Sequence, residues 1–115
     1  MSVNQPQRRR WTRALSEIRV KVIFQREHAR QLANGRSHDI GEGGMSVYVP
    51  VDLTTGENIE LEFSLPRARA PFRVHGTVRT RMGFRYGIEF LVLNKPQREE
   101  IAKFVELKTT LGDVS

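Results

Sequence analysis

A chain of 115 residues and 13.3 kDa can bury one core and is too short for two ordinary domains, and 38% hydrophobic with 28% charged residues argues against disorder throughout. Nineteen Lys+Arg against 13 Asp+Glu leave a formal charge of +6, and Arg8, Arg9, Arg10 and Arg13 crowd four of the cations into one short stretch. Such a cluster favours an anionic partner, whether nucleotide, nucleic acid or acidic protein surface; the lack of cysteine excludes disulfides, thiolate metal sites and cysteine nucleophiles.

Residues 1–7 are polar and read as a flexible lead, followed over 8–17 by an arm that holds the arginines and Trp11. From Ile18 the chain alternates, with Val20, Val22 and Phe24 on one side and Arg19, Lys21, Ile23 and Gln25 on the other, the period of a half-buried strand. Asn34-Gly35 within a polar stretch predicts a hairpin bend or an irregular second strand. The run Asp39-Ile40-Gly41-Glu42-Gly43-Gly44 predicts a loop, and Met45, Val47 and Val49 a short strand leaving it. Ile59 to Leu65, Phe72 to Val78 and Phe84 to Val92 alternate in the same way, with a turn at Met82-Gly83 between the last two. The period then changes. Asn94 as N-cap, Pro96 in the first turn and Ile101, Phe104, Val105 and Leu107 at helical spacing predict a helix over 95–108, with Gly112 marking its end and 109–115 a frayed tail.

About six short strands without a βαβ rhythm argue for an all-β fold, an antiparallel barrel or sandwich with the terminal helix packed on it, the barrel proper spanning 18–93. No apolar run approaches the roughly 20 residues of a membrane span, and no signal-peptide core opens the chain, so a cytoplasmic protein without membrane insertion is expected.

The chemistry concentrates in two places. The glycines at 41, 43 and 44 allow close backbone approach to a ligand or a fan of N–H groups around an anion, while the Asp39 carboxylate can accept from a guanine edge. Taken alone, such a loop is also what a tight turn needs. Arg9 and Arg13 can reach one ligand together, and a guanidinium binds phosphate bidentately or stacks on a purine. The two features together suit a guanine nucleotide with exposed phosphates. No G-x-S-x-G, no Walker motif and no carboxylate pair equips the chain for hydrolysis or phosphoryl transfer, and His28, His38 and His75 lack metal-ligand spacing, so neither an enzyme nor a metal site is expected.

Arg9-x-x-x-Arg13 preceded by Arg8, then Asp39-x-Gly41-x-x-Gly44, then Tyr86-Gly87-Ile88-Glu89-Phe90 before a terminal helix, resembles the PilZ domain family, whose pattern is RxxxR followed by [D/N]xSxxG. The resemblance covers roughly residues 8–108 and implies a six-stranded antiparallel β-barrel of split-barrel type with a C-terminal helix. It implies a non-enzymatic receptor for the bacterial second messenger cyclic di-GMP, bound by Arg8, Arg9, Arg10, Arg13, Asp39, Gly41 and Gly44. A mobile arm would fold over the ligand and signal to a downstream protein. Arg8 ahead of the first motif arginine implies ligand bound as a stacked pair. Trp11 can pack the arm on the barrel or stack on the ligand, and Arg79 and Arg81 can face the ligand or solvent. Gly41 stands where the family usually has serine; the missing hydroxyl costs about 0.5–1.5 kcal/mol, or about three- to tenfold in affinity. That departure keeps open an interaction module that has lost the ligand. A single-stranded nucleic-acid binder of OB type is a third reading, disfavoured by 8% aromatics that fall mostly at inward positions.

Overall fold

The computed structural model describes residues 13–114, with side chains as far as Thr109. Seven strands precede one helix: β1 Arg13–Leu15, β2 Arg19–Arg26, β3 Ala29–Gly41, β4 Gly44–Tyr48, β5 Asn58–Phe63, β6 Phe72–Met82, β7 Arg85–Phe90 and α1 Lys95–Val114. All pairings are antiparallel. The order β3-β2-β5-β6-β7-β4 closes through the β3–β4 pairing into a six-stranded barrel, with β1 outside it. Arg13–Leu15 and Arg19–Arg26 pair in succession along one edge of β3, because residues 36, 39 and 40 of β3 pair on their other edge with β4. The break between β1 and β2 is held by Ser16 N–H donating to His38 O at 3.0 Å and by the Ser16 and Ser37 hydroxyls bonded to each other at 2.8 Å.

Alternation decides what the barrel encloses. Val20, Val22, Ile40, Met45, Val47, Ile59, Leu61, Phe63, Val74, Val78, Tyr86 and Ile88 point inward and are buried, and Phe63 stacks on Phe72 with centroids 5.0 Å apart. From α1, Ile101 and Val105 join the same core, and the helix packs against β1 and β3. Its start is the expected one: Asn94 Oδ1 accepts from Gln97 N–H at 2.8 Å while Gln97 Oε1 accepts from Asn94 N–H at 3.1 Å, a reciprocal capping box. Among the described residues no helix is long and apolar enough to cross a membrane.

One local expectation is decided and three need correcting. Of the two expected alternatives at Asn34-Gly35 the structure has the strand, which runs through the middle of β3 with a register shift near Ser37–Asp39, and the hairpin bend lies at Glu27-His28, where both residues take positive φ (52° and 66°) as a two-residue turn with the twist of a hairpin requires. Gly35 is required by proximity, since a Cβ there would lie 2.5 Å from Tyr48 O. The run 39–44 is mostly strand: Asp39 to Gly41 end β3, Gly44 begins β4, and only Glu42 and Gly43 turn. Part of the arm is the strand β1. The helix passes both residue 108 and Gly112 and ends at Val114.

Candidate functional site

Pairing of β1 with β3 sets Arg13 opposite Gly41 and Leu15 opposite Asp39, and pairing of β3 with β4 sets Asp39 opposite Ser46. Arg13, Asp39 and Ser46 therefore share the outer wall of the barrel, and Arg13 reaches diagonally across the ladder. Its Nη1 donates to Asp39 Oδ1 at 2.7 Å and to Ser46 Oγ at 3.4 Å. The ion pair is half-sheltered, with side-chain exposures of 22% for Arg13 and 13% for Asp39. Gly41 faces Arg13 without a side chain, whereas the space over Gly87, opposite Ser46 on β7, is filled by Thr80, whose Oγ1 would lie 2.4 Å from a Cβ there.

Gly44 has a separate reason to be glycine. A Cβ there would fall 2.1 Å from Ile88 O and 3.2 Å from Glu89 Cα, so β4 and β7 can approach only if position 44 carries no side chain. Gly43 contributes through its carbonyl, which accepts from Phe90 N–H at 2.9 Å.

The structure thus brings together Arg13, Asp39, Gly41 and Gly44 from two motifs far apart in sequence. Arg8, Arg9, Arg10 and Trp11 lie outside the described residues. Arg79 pairs with Glu89 at 2.5 Å, on the β7 residue opposite Gly44, so it borders the site without touching Arg13 or Asp39. Arg81 is committed elsewhere. It donates to Asp52 Oδ1 at 2.7 Å, Leu53 O at 3.1 Å and Gly83 O at 2.8 Å, and its guanidinium lies 5.3 Å from the Tyr86 ring centroid. The hydrogen bond it donates to Asp52 stabilises its charged form and raises its pKa further above the usual arginine value. Tyr86, fully buried, donates to Val51 O at 2.6 Å and accepts from Leu53 N–H at 3.0 Å, so Arg81 and Tyr86 together fasten the 51–53 segment.

Sequence reasoning missed Ser46 and the position of Gly87 opposite it. Ser46 could be found by counting two residues on from Gly44 once the strand is known, and Gly87, already named within Tyr86-Gly87-Ile88-Glu89-Phe90, leaves a gap between Arg85 and Glu89 in the outward row. Among the described residues no group of three or more His, Asp or Glu side chains is placed to hold a metal. The donors and acceptors present suit recognition of an anion beside a hydrogen-bonding base edge.

The architecture is that of a small β-barrel domain with an arginine–aspartate site on its outer wall, the arginine supplied by a strand outside the closed ring. The chain matches the family model described as PilZ domain over residues 7–107, and it belongs to the PilZ domain family. Solved structures with the same fold include the PilZ domain of YcgR from Escherichia coli with c-di-GMP, at TM-score 0.70 and 14% identity over 92% of this chain and 95% of that one. The inhibitor of motility MotI/DgrA from Bacillus subtilis aligns at TM-score 0.75 and 18% identity over 93% of this chain and 54% of its own, so this chain spans about half its length. The PilZ domain of CeSA from a cellulose-synthesizing bacterium aligns at TM-score 0.58 and 17% identity over 87% of this chain and 97% of that one. No curated protein matches the chain.

Proposed function

We propose that this protein is a non-enzymatic receptor for cyclic di-GMP, which it binds between the arginine arm and the Asp39–Gly44 segment. The observation that carries the reading is the Arg13–Asp39 ion pair, because it joins the second arginine of one motif to the acidic residue of the other on a glycine-floored surface. A guanidinium can hold phosphate and the carboxylate can read the guanine N1–H and N2–H2 edge. Similarity to the YcgR domain, whose structure holds c-di-GMP, supports the ligand class. Arg8, Arg9 and Arg10 complete the anion clamp in this reading, with Trp11 and Arg79 at its margin, and Arg8 adds a second stacked dinucleotide. The signal is a change in the arm, which leaves the closed barrel intact because β1 is not one of its staves.

Calorimetric titration with cyclic di-GMP tests the reading. Saturable binding is expected, with stoichiometry reporting one or two dinucleotides and affinity lost in Arg9→Ala and Arg13→Ala. No heat and no shift in melting temperature with ligand well above micromolar would refute it. A PilZ module without ligand is the second reading, favoured by the serine missing at position 41.

A further inference from the structure

Strand β3 is thirteen residues long, yet its two edges are not equally used. On one edge, Ala29 to Arg36 pair with β2 and Asp39 to Gly41 with β1. On the other, pairing with β4 begins only at Arg36, opposite Tyr48. Beyond that pair the chain passes close against Gly35 but makes no backbone bond to β3: Val49 N–H donates to Phe84 O at 3.0 Å and Val51 N–H folds back on Val49 O at 2.8 Å. Among the described residues nothing therefore pairs with the second edge of residues 29–35, of which 29–32 and 34 are exposed. An open row of backbone donors and acceptors is a template for another extended chain.

The side chains beside that edge select what could occupy it. Arg36 stands directly opposite Arg19 on β2 and opposite Tyr48 on β4, and among the described residues neither arginine makes an ion pair. Like charges facing each other across a ladder are unfavourable unless something neutralises them. The two line a groove of about 490 Å³ with Asn34, Gly35, Tyr48 and Pro50. Four residues earlier on the same outer row, Leu32 is 56% exposed opposite Ile23.

We infer that the open edge of β3 receives an extended acidic segment of a partner protein as an added strand. Opposite Asn34, just short of the Arg36–Tyr48 pair, one acidic side chain lies diagonal to Arg36 at the mouth of the groove, and an apolar side chain two residues away on the same face lies opposite Leu32, because alternate residues of a strand share a face. A second copy of this chain is a poor occupant, since it would bring one unpaired arginine groove against another. Asp39 lies three residues beyond Arg36 and Ser46 two residues from Tyr48, so this surface adjoins the proposed dinucleotide site, yet the open backbone edge at 29–35 is distinct from it and stands whether or not the dinucleotide binds.

The test is selection of peptides from a displayed library of random dodecamers on the full chain, followed by fluorescence titration of synthetic copies and amide exchange of the complex. Enriched peptides should carry Asp or Glu two residues from an apolar residue, bind at least tenfold more weakly to Arg19→Gln/Arg36→Gln, and protect amides within 29–35. The melting temperature of the variant, unchanged within a few degrees, separates lost binding from lost folding. Three outcomes would each overturn the inference: no enriched peptide, enrichment of peptides without acidic residues or indifferent to the double variant, and protection of 29–35 that rises with protein concentration without peptide, which would mark self-association.

Discussion

Arg13 and Asp39, 26 residues apart in sequence, meet at 2.7 Å on the outer wall of a barrel to which Arg13's own strand does not belong. A hydrogen bond to a charged group contributes about 1.5–3 kcal/mol, which corresponds to about 10- to 150-fold in binding when the group also holds a ligand. Arg13→Ala and Asp39→Asn are each expected to weaken cyclic di-GMP binding within that range. The double variant should lose less than the sum, since each single change already breaks the shared contact. Titration of the four proteins measures the coupling, and strict additivity would show that the two side chains hold the ligand independently.

At position 41 the opposite change is informative. Gly41→Ser restores the hydroxyl of the family pattern beside Arg13, and affinity for the dinucleotide should rise by about three- to tenfold. A fall in affinity measured by the same calorimetry would mean that the bare floor at Gly41 is itself what the ligand requires.

Gly44→Ala places a methyl group 2.1 Å from Ile88 O, where backbone and not a movable side chain is in the way. The expected loss is about 2 kcal/mol or more, in the range of overpacking effects. Urea unfolding should show it with or without ligand, and an unchanged midpoint would mean that β4 and β7 separate readily.

Tyr86→Phe removes the hydroxyl that bonds Val51 O and Leu53 N–H and leaves both without that partner in a buried setting. A cost of about 1–3 kcal/mol is expected. The same variant should loosen the 51–53 segment, visible as faster amide exchange at Leu53.

Glu57 offers a pH-dependent test. Burial pushes its carboxyl up, but Arg26 at 2.6 Å and Thr54 N–H at 2.9 Å outweigh it and hold the pKa below the ordinary carboxylate value. Burial likewise works against the Arg26 charge, and the Glu57 hydrogen bond overrides it to raise that pKa. With its folded pKa depressed, Glu57 adds stability that is present above its unfolded value of about 4.3 and lost as pH falls through the folded one. The pair is partly exposed, so the contribution is about 1 kcal/mol or less. Unfolding of wild type and Glu57→Gln at pH 6 and pH 3 should show a gap that closes in acid.

The strands legible in sequence, β2, β4, β5, β6 and β7, are those in which alternate side chains enter the core over much of their length. The capping box at Asn94 and Gln97 was partly legible because its chemistry is local. Strand β3 is only half legible, as one of two alternatives, because Asn34-Gly35 and the glycines near Gly41 carry the composition of turns. Their cause is tertiary: Gly35 and Gly44 are glycine because Tyr48 O and Ile88 O come close in space, a fact that no window of sequence contains. The true turn at Glu27-His28 escaped notice because neither residue is a usual occupant of positive φ. Of the candidate site, Arg13, Asp39, Gly41 and Gly44 are readable from motifs, while Ser46 becomes visible only through the β3–β4 register.

The ring of six strands also has a history written into it. Strands β2, β3 and β4 follow one another as sequence neighbours, as do β5, β6 and β7, whereas β2–β5 and β4–β7 join segments distant in the chain. Each set of three can form by local zipping, and the two long-range junctions carry the loop-closure entropy and so set the folding rate. Gly44 sits in one of those junctions, against Ile88 and Glu89, two residues from Ser46. The glycine that borders the proposed dinucleotide site is therefore also a latch of the barrel, so in that reading a bound ligand would resist opening of the ring by mass action.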